Sequence, residues 1–270
     1  MVKLLVTDLD GTLLPSGRTV SLGNIKAAQA VTAAGVVVTL ATGRMFRAAL
    51  PIAEQLGVDA PIIAYNGALI KRMSGEVLFS KFLPPDLIRE VVTFGQERGW
   101  HLQSYCADRV LFAQYDAYAR AYEQNQEVKG EIVGWDGLRS CTEEVCKLLS
   151  ITSGGEETDA RVAALNAHFG ERIEAMRSNA NYAEIVSPGV SKASALVRLT
   201  GILGIPLAET MAIGDADNDL PMLRAAGRSI AMGNAVPEVK AACDYETAKC
   251  SENGFAKAVY DYVLEGGMRQ

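Results

Sequence analysis

Short apolar runs and longer amphipathic stretches alternate over the amino-terminal part of the chain. Short apolar runs predict buried strands, and apolar residues at helical spacing between them predict helices. Strands are predicted over 3–7, 36–40 and 61–64, and helices over 21–34 and 45–56. Strands that alternate with helices form a parallel sheet with right-handed crossovers, so this part is predicted to be an α/β domain with a Rossmann-like parallel sheet.

The pattern changes after residue 68. A hairpin is predicted over 68–82, turning at Ser74-Gly75, and Pro84-Pro85 precedes a helix predicted over 86–98. Short paired strands with helices beside them follow, around an irregular stretch in the middle. Runs of strands and helices of this kind indicate an α+β unit inserted into the first domain.

The alternating pattern resumes after Ser187-Pro188-Gly189. Helices are predicted over 191–203, from about 217 and over 252–264, and strands over 210–213 and 228–232. The core domain is therefore predicted to be discontinuous, 1–83 and 188–270, around an inserted domain at 84–187.

Two carboxylates lie where the first predicted strand ends, Asp8 and Asp10. Ligands of open parallel sheets bind at the carboxyl ends of the strands, so this position is favourable for chemistry. One carboxylate of such a pair can attack phosphorus while the other transfers protons. A turn rich in Asp and Gly is an equally good interpretation of this motif taken alone.

A second acidic cluster, Asp215, Asp217 and Asp219, directly follows the strand predicted over 210–213. Several carboxylates in one cleft require protons or a cation, and oxygen ligands that leave room for water suit Mg²⁺. A calcium loop is disfavoured because position 226, where its bidentate Glu would fall, is Ala. Acids at a helix start are also favourable for purely structural reasons.

Two further features favour an anion site. Lys192 lies in the first turn of a helix that Ser191 can cap, where a cation opposes the helix dipole and an anion nearby would offset the cost. Thr42-Gly43 follows the second strand and opens a helix, where backbone N–H groups can bind phosphate. An exposed lysine and an ordinary strand-to-helix turn are the alternative interpretations.

The overall composition sets limits on the class of protein. The chain has 270 residues, 49% of them hydrophobic, and a net charge of −6, which argues against a general nucleic-acid binder. Its five cysteines lack CxxC spacing and it has two histidines, so reduced thiols in a cytoplasmic protein are expected and not a zinc site. No apolar run has the length of a signal peptide or a membrane span.

The motifs taken together resemble the haloacid dehalogenase (HAD) superfamily, and the insertion resembles the cap of its Cof-type sugar-phosphate phosphatases. The resemblance extends along the whole chain. The matching segments are Asp8–Leu13, Ala41–Arg44, Asn66–Ala68, Gly189–Lys192, Gly214–Asp219 and Met232–Ala235.

The resemblance implies roles for particular residues. Asp8 would be the nucleophile and a metal ligand, and Asp10 the acid/base, with its backbone carbonyl on the metal. Asp215 and Asp219 would complete a Mg²⁺ site, the latter directly or through water. The phosphate would be bound by Thr42, Gly43, Lys192 and Asn218.

The resemblance also implies that the cap closes over the site and selects the substrate. Arg177, Asn179 and Asn181, on its last hairpin, could contact a sugar or a second phosphate, and a solvated turn is an equal alternative. Glu184 could contact a substrate hydroxyl. Asn66 and Gly67, at a strand end, are further candidates for substrate binding, and Arg44 could contact substrate or pair with an acid of the cluster.

The expected function is Mg²⁺-dependent hydrolysis of small phosphate monoesters through an aspartyl phosphate, which makes the protein a phosphoric monoester hydrolase. A phosphomannomutase-like or sucrose-phosphate phosphatase-like enzyme is the near alternative. A phospho-accepting signalling domain is disfavoured because it would be about half this length, and a non-catalytic sugar-phosphate binder because Asp8 and Asp10 are both present. The expected partner is a phosphorylated small molecule, not nucleic acid or membrane, and either a monomer or a homodimer is compatible with the sequence.

Overall fold

A computed structural model of the chain describes residues 1–17 and 19–264. Its strands are β1 Leu4–Thr7, β2 Val37–Leu40, β3 Ile62–Ala64, β4 Leu69–Lys71, β5 Val77–Ser80, β6 Gln103–Cys106, β7 Arg109–Phe112, β8 Gly130–Ile132, β9 Val145–Ile151, β10 Glu174–Asn179, β11 Tyr182–Val186, β12 Thr210–Gly214, β13 Arg228–Ala231 and β14 Tyr245–Glu246. Its α-helices are α1 Leu22–Ala33, α2 Phe46–Leu56, α3 Pro85–Glu97, α4 Ala117–Gln126, α5 Gly134–Ser140, α6 Gly155–Phe169, α7 Lys192–Leu203, α8 Leu220–Ala225, α9 Pro237–Ala242 and α10 Gly254–Ala258. Short 3₁₀ turns lie at Tyr65–Gly67, Gly170–Arg172, Leu207–Glu209 and Cys250–Glu252, and a π-helical turn at Val259–Leu264.

The chain divides into two compact units. The core unit consists of Met1–Phe79 and the chain from Ser191 onward, and the inserted unit consists of Ser80–Val190. The core unit is built on a parallel sheet and the inserted unit on a sheet of mostly antiparallel strands with helices. The predicted fold class, a parallel α/β core with an inserted α+β domain, is confirmed.

The central sheet of the core unit has the strand order β14-β13-β12-β1-β2, and its strands are parallel. All four residues of β1 are buried, as expected for a strand covered on both faces. The register pairs Thr7 with Ile213 on one side and with Leu40 on the other. The residues that follow these three positions therefore reach the same edge of the sheet.

The third predicted strand is present as β3, but most of its pairing is not to the parallel sheet. It forms a three-stranded sheet in the order β3-β4-β5, pairing antiparallel with β4. A single parallel bridge between Ala41 and Ile63 joins it to the end of β2, and the Thr42 N–H donates to the Ile63 carbonyl at 2.9 Å. This connection brings the turn after β3 beside the turn after β2.

The inserted unit contains a six-stranded sheet in the order β10-β11-β9-β6-β7-β8. Alternate residues of its strands, such as Leu148 and Ile185, share a buried core with Leu87, Leu138 and Leu165 of the helices on that face. The stretch expected to be irregular contains α4, β8 and α5. Asp116 caps α4 by accepting the Ala119 N–H at 2.9 Å. The helix was not predicted, because its apolar residues form only a weak helical pattern.

Two helices of the core unit differ from the expected bounds. The helix expected from about residue 217 begins at Leu220, because 217–219 form a turn in which Asp219 N–H donates to the Ala216 carbonyl. The helix expected over 252–264 is interrupted at Asn253, whose left-handed φ of 57° ends a 3₁₀ turn and precedes α10. Among the helices that the structure describes, none has the length and apolar composition needed to cross a bilayer.

Candidate active site

A buried lysine joins two aspartates at the carboxyl edge of the central sheet. The Lys192 Nζ lies 2.5 Å from Asp8 Oδ1 and 2.6 Å from Asp219 Oδ1. Asp8 directly follows β1, and Asp219 precedes α8, so three separate segments meet at one ammonium group. Only 1% of the Lys192 side chain is exposed, which excludes the interpretation of a solvated surface lysine.

The start of α7 explains how a lysine can occupy this place. Ser191 is the N-cap, and its hydroxyl accepts the Ser194 N–H while the Ser194 hydroxyl accepts the Ser191 N–H, a complete capping box. Gly67 has φ +104°, and a Cβ there would lie 2.2 Å from the Ser191 carbonyl oxygen. The cap and this close contact hold Lys192, the first residue of the helix, against the sheet edge.

The protonation of the cluster reflects an excess of carboxylates over cations. Burial, followed by the charge of Asp219, raises the pKa of Asp8 well above its ordinary value, against the opposing effect of Lys192. Burial lowers the pKa of Lys192, but the charges of Asp219 and Asp8 outweigh burial and leave that pKa above its ordinary value. The ammonium therefore stays charged. One lysine does not balance the neighbouring carboxylates, so a proton or a cation bound there would be stabilising.

Three carboxylates form a group suited to a metal ion, Asp8, Asp215 and Asp219, with one oxygen of each within 4.8 Å of the others. Asp219 is fully buried, and its Oδ2 accepts the N–H groups of Asp215 at 3.0 Å and Ala216 at 3.1 Å. Burial raises the pKa of Asp215 to about 6. The residues present fit a small divalent cation. Mg²⁺ prefers oxygen ligands, and its charge would offset the repulsion among the three carboxylates.

Asp215 is also held by the loop after β1. The Thr12 hydroxyl donates to Asp215 Oδ1 at 2.8 Å, and Thr12 is fully buried. Gly11 has φ +80°, and a Cβ there would lie 2.2 Å from Asp215 Oδ2. Only glycine satisfies both the left-handed backbone and this close approach.

Asp10 lies apart from the carboxylate group. Its side chain is 60% exposed, and both of its oxygens pair with Arg44, Oδ2 with Nε at 2.9 Å and Oδ1 with Nη2 at 2.5 Å. Arg44 Nη2 also donates to the Gly17 carbonyl at 3.1 Å. Arg44 therefore pairs with an acid. That acid is Asp10 of the segment Asp8–Leu13, and not a residue of the second acidic cluster.

Thr42 and the bend at Gly43-Arg44 precede α2, which begins at Phe46. The buried Thr42 hydroxyl accepts the Arg44 N–H at 3.0 Å, which closes the bend. A Cβ at Gly43 would lie 3.1 Å from the amide oxygen of Asn66, so the bend packs closely on the turn after β3.

The candidates Asn66 and Asn218 contact each other. Asn218 Nδ2 donates to Asn66 Oδ1 at 3.1 Å, which joins the turn after β3 to the acidic cluster. Asn66 has a left-handed φ of 54°, which asparagine tolerates, and its neighbour Tyr65 has φ 53°, which is strained for a bulky residue. The Asn66 N–H donates to the Thr42 carbonyl at 2.9 Å, so the backbone holds this turn against the Thr42 bend.

The remaining candidates belong to the inserted unit. Arg177 is exposed and pairs with Asp159 at 3.1 Å, and the Asn181 carbonyl accepts the Thr152 N–H at 2.9 Å. Glu184, considered as a possible contact of a substrate hydroxyl, is buried and pairs with Lys147 at 2.7 Å.

The side chains of Thr12 and Asn234 contact the carboxylate group, and neither residue had a role assigned from the sequence. Both lie inside motifs that the sequence displays, Asp8–Leu13 and Met232–Ala235. The Asn234 Nδ2 donates to the Gly11 carbonyl at 2.8 Å. Their positions inside these motifs indicated that both residues lie near the site. Neither a threonine nor an asparagine by itself indicates which carboxylate it contacts.

The parallel sheet, with carboxylates and one lysine buried at its carboxyl edge, defines an α/β protein with an acidic cluster at the position where open parallel sheets bind ligands. The chain belongs to the haloacid dehalogenase-like hydrolases, whose sequence profile matches residues 5–259. The expected superfamily and the expectation of a hydrolase are thereby confirmed.

Relatives and solved structures cover nearly the whole chain. The 5-amino-6-(5-phospho-D-ribitylamino)uracil phosphatase YitU of Bacillus subtilis is 29% identical over 265 residues, covering 96% of this chain and 97% of that protein. The HMP-PP phosphatase of Serratia proteamaculans is 29% identical over 250 residues, covering 89% of this chain and 87% of that protein.

Among solved structures, a haloacid dehalogenase-like hydrolase from Bacteroides thetaiotaomicron superposes with a TM-score of 0.87 at 29% identity, covering 96% of this chain and 99% of that one. A HAD subclass IIB sugar phosphatase superposes with a TM-score of 0.82 at 25% identity, covering 97% and 99%. Both units of the chain therefore have counterparts in proteins of this kind.

Proposed function

We propose that the protein is a Mg²⁺-dependent phosphatase that hydrolyses small phosphate monoesters through an aspartyl phosphate on Asp8. The observation that carries the proposal is the buried ammonium of Lys192, shared between Asp8 and Asp219. A lysine at this point lowers the repulsion between an anionic nucleophile and an anionic phosphate.

In the first step, Asp8 attacks phosphorus, and the bond between phosphorus and the leaving oxygen breaks. Asp10 gives a proton to that oxygen, which leaves as an alcohol. In the second step, Asp10 takes a proton from water as the water oxygen attacks the aspartyl phosphate. The bond between phosphorus and Asp8 then breaks, inorganic phosphate is released and the Asp8 carboxylate is restored.

The metal would be held by the side chains of Asp8, Asp215 and Asp219 and by the backbone carbonyl of Asp10. When bound, Mg²⁺ supplies positive charge to the phosphate oxygens. Support for this site comes from the short distances among the three carboxylates and from the raised pKa values of Asp8 and Asp215.

The phosphate would be bound by Lys192, Thr42, Gly43 and Asn218. Lys192 supplies charge, and Thr42 and Gly43 supply donors at a bend where the backbone can approach an anion closely. The contact between Asn218 and Asn66 supports this assignment, since it fixes the amide that would donate to phosphate.

The substrate class is proposed to be phosphorylated small metabolites in the cytoplasm, including sugar phosphates. The names of the relatives support this class, since they include a phosphoribitylamino-uracil phosphatase and a sugar phosphatase. The inserted domain, 84–187, is proposed to select the substrate, with Arg177 and Asn181 as its candidate contacts. Arg44, Asn66 and Gly67 are the candidates on the core, 1–83 and 188–270.

The test is phosphate release from a panel of phosphorylated sugars, sugar alcohols and nucleotides, with p-nitrophenyl phosphate as a general substrate. We expect turnover of several small monoesters at rates that depend on the organic group. Phosphomannomutase-type transfer would appear as exchange of phosphate position on a hexose without release. A long-lived phosphorylated protein without turnover would instead indicate a phospho-accepting domain, and no reaction with any monoester would contradict the proposal.

A further inference from the structure

The segment Met232–Ala235 packs directly on the end of β12. The Met232 N–H donates to the Gly214 carbonyl at 3.0 Å, and the Val236 N–H donates to the Asp215 carbonyl at 3.0 Å. These two backbone hydrogen bonds therefore hold both ends of the segment against Gly214 and Asp215. The residue between them, Asn234, is held at a defined distance from the carboxylate group.

The Asn234 amide contacts three separate parts of the core unit. Its Nδ2 donates to the Gly11 carbonyl at 2.8 Å and lies 3.4 Å from Asp215 Oδ2, and its Oδ1 accepts the Cys250 N–H at 2.7 Å. The bond from Cys250 fixes the orientation of the amide, since only its oxygen can accept from an N–H. The NH₂ group is thereby directed at the first loop and at Asp215.

Asp215 consequently has a donor at each oxygen. Thr12 donates to Oδ1 at 2.8 Å, and the longer contact from Asn234 reaches Oδ2. Asn234 carries no charge, so it orients the carboxylate without neutralising it and leaves its affinity for a cation intact. Its other bond, to Gly11, ties the same carboxylate to the loop that carries Asp8 and Asp10.

We propose that Asn234 is a positioning residue that sets the affinity of the carboxylate group for Mg²⁺, an inference that rests on the metal site of the proposed function. It holds the Asp215 carboxylate beside the loop that carries Asp8 and Asp10, so that the cation meets ligands already in place. Partners that orient metal ligands typically contribute about 10- to 100-fold to metal affinity.

The test is isothermal titration of the metal-free protein with Mg²⁺, comparing the wild type with Asn234→Ala. We expect the Kd for Mg²⁺ to rise about tenfold or more. The Tm in excess EDTA should fall by only about 2 °C, because the Asn234 side chain is exposed and its loss leaves no cavity. Turnover at saturating Mg²⁺ should recover a large part of the loss seen at low Mg²⁺.

Asn166→Ala is the matched control. Asn166 also makes two hydrogen bonds to backbone, both with Ala175 of the inserted unit, at 3.0 and 3.1 Å. Its loss should leave the Kd for Mg²⁺ unchanged. Asn234→Gln, which keeps the amide but displaces it by one methylene, provides a second variant if Asn234→Ala does not fold, and it should also weaken binding.

A Kd for Mg²⁺ within twofold of the wild type in the folded Asn234 variants would overturn the positioning role while leaving the metal site standing. An equal loss of affinity in Asn166→Ala would overturn it as well, since the effect would then follow general destabilisation. Absence of Mg²⁺ binding by the wild-type protein would overturn the magnesium proposal itself, and this inference with it.

Discussion

The Arg44 guanidinium holds both carboxylate oxygens of Asp10, with its Nε 2.9 Å from one and its Nη2 2.5 Å from the other. The fork geometry fixes the plane of the carboxylate as well as its position. It also anchors the pair, because the same Nη2 donates to the Gly17 carbonyl at 3.1 Å. Asp10, the proposed acid/base, is thus oriented by Arg44 of the segment Ala41–Arg44.

Arg44→Lys should lower kcat for p-nitrophenyl phosphate about tenfold, a fraction of what general acid–base catalysis contributes. A lysine keeps the charge but cannot bind two oxygens in one plane. The control is Arg72→Lys, which alters an exposed ion pair with Glu76 and should leave kcat unchanged. Equal kcat values in wild type and Arg44→Lys would show that the fork does not serve the reaction.

Asp8→Asn should reduce hydrolysis of p-nitrophenyl phosphate by about a thousandfold or more, because an amide cannot act as the nucleophile. The metal-free variant should be at least as stable to heat as the wild type. Burial already raises the pKa of Asp8, so its charged form costs free energy in the folded state. Asp86→Asn, at an exposed position of the inserted unit, controls for the change in charge. Near-normal turnover in Asp8→Asn would refute the nucleophile.

Removal of metal should stop turnover, and Mg²⁺ should restore it. Mg²⁺ at a hundred times its Kd should also stabilise the folded protein by about 2.7 kcal/mol, measurable as a rise in Tm. Asp215→Asn should lose most of that rise, because it removes one of the three carboxylates. Turnover that persists in EDTA would contradict the role given to Asp215.

Glu157 provides a pH-dependent contribution to stability, independent of the site. Hydrogen bonds from the Ser153 N–H at 2.9 Å and hydroxyl at 2.7 Å, together with Arg161, lower its pKa to about 2. A lowered folded-state pKa stabilises above the ordinary pKa of 4.5, and the contribution is lost as pH falls toward 2.

Glu157→Gln should therefore lower the Tm at pH 7, by only about 2 °C because the side chain is 40% exposed. The difference from wild type should shrink as pH falls below 4.5. Denaturant midpoints between pH 3 and pH 7 provide the measurement, with Glu171→Gln, an exposed acid of the same unit, as control. A difference that is constant across this range would contradict the assignment.

The parallel sheet was predictable because β1, β2 and β12 are short apolar runs, each followed by polar residues. The rule that ligands bind at the carboxyl ends of parallel strands then placed Asp8, Thr42 and Asp215 together without any knowledge of side-chain positions. The position of Lys192 at a helix start, where the dipole disfavours a cation, indicated negative charge nearby but did not indicate that the lysine is buried.

The pairs inside the site were not predictable in the same way. Whether Arg44 pairs with Asp10 or another acid depends on the conformation of the bend at Gly43-Arg44, which lies between β2 and α2. The contact between Asn218 and Asn66 depends on a left-handed backbone at Asn66 that no sequence periodicity indicates. Contacts between loops follow from backbone conformation, which apolar patterning does not determine.

The close approach of Gly11 to Asp215 couples two positions of the chain that are far apart in sequence. A side chain at position 11 would occupy the space of the Asp215 carboxylate, with its Cβ 2.2 Å from Oδ2. In a library randomised at both positions, active clones should retain glycine at 11 whenever they retain aspartate at 215. A larger residue at 11 should displace the Asp215 carboxylate, and a smaller residue at 215 should not fully restore the protein, because the left-handed φ of +80° still disfavours a side chain. Position 11 therefore limits where the carboxylate of position 215 can lie.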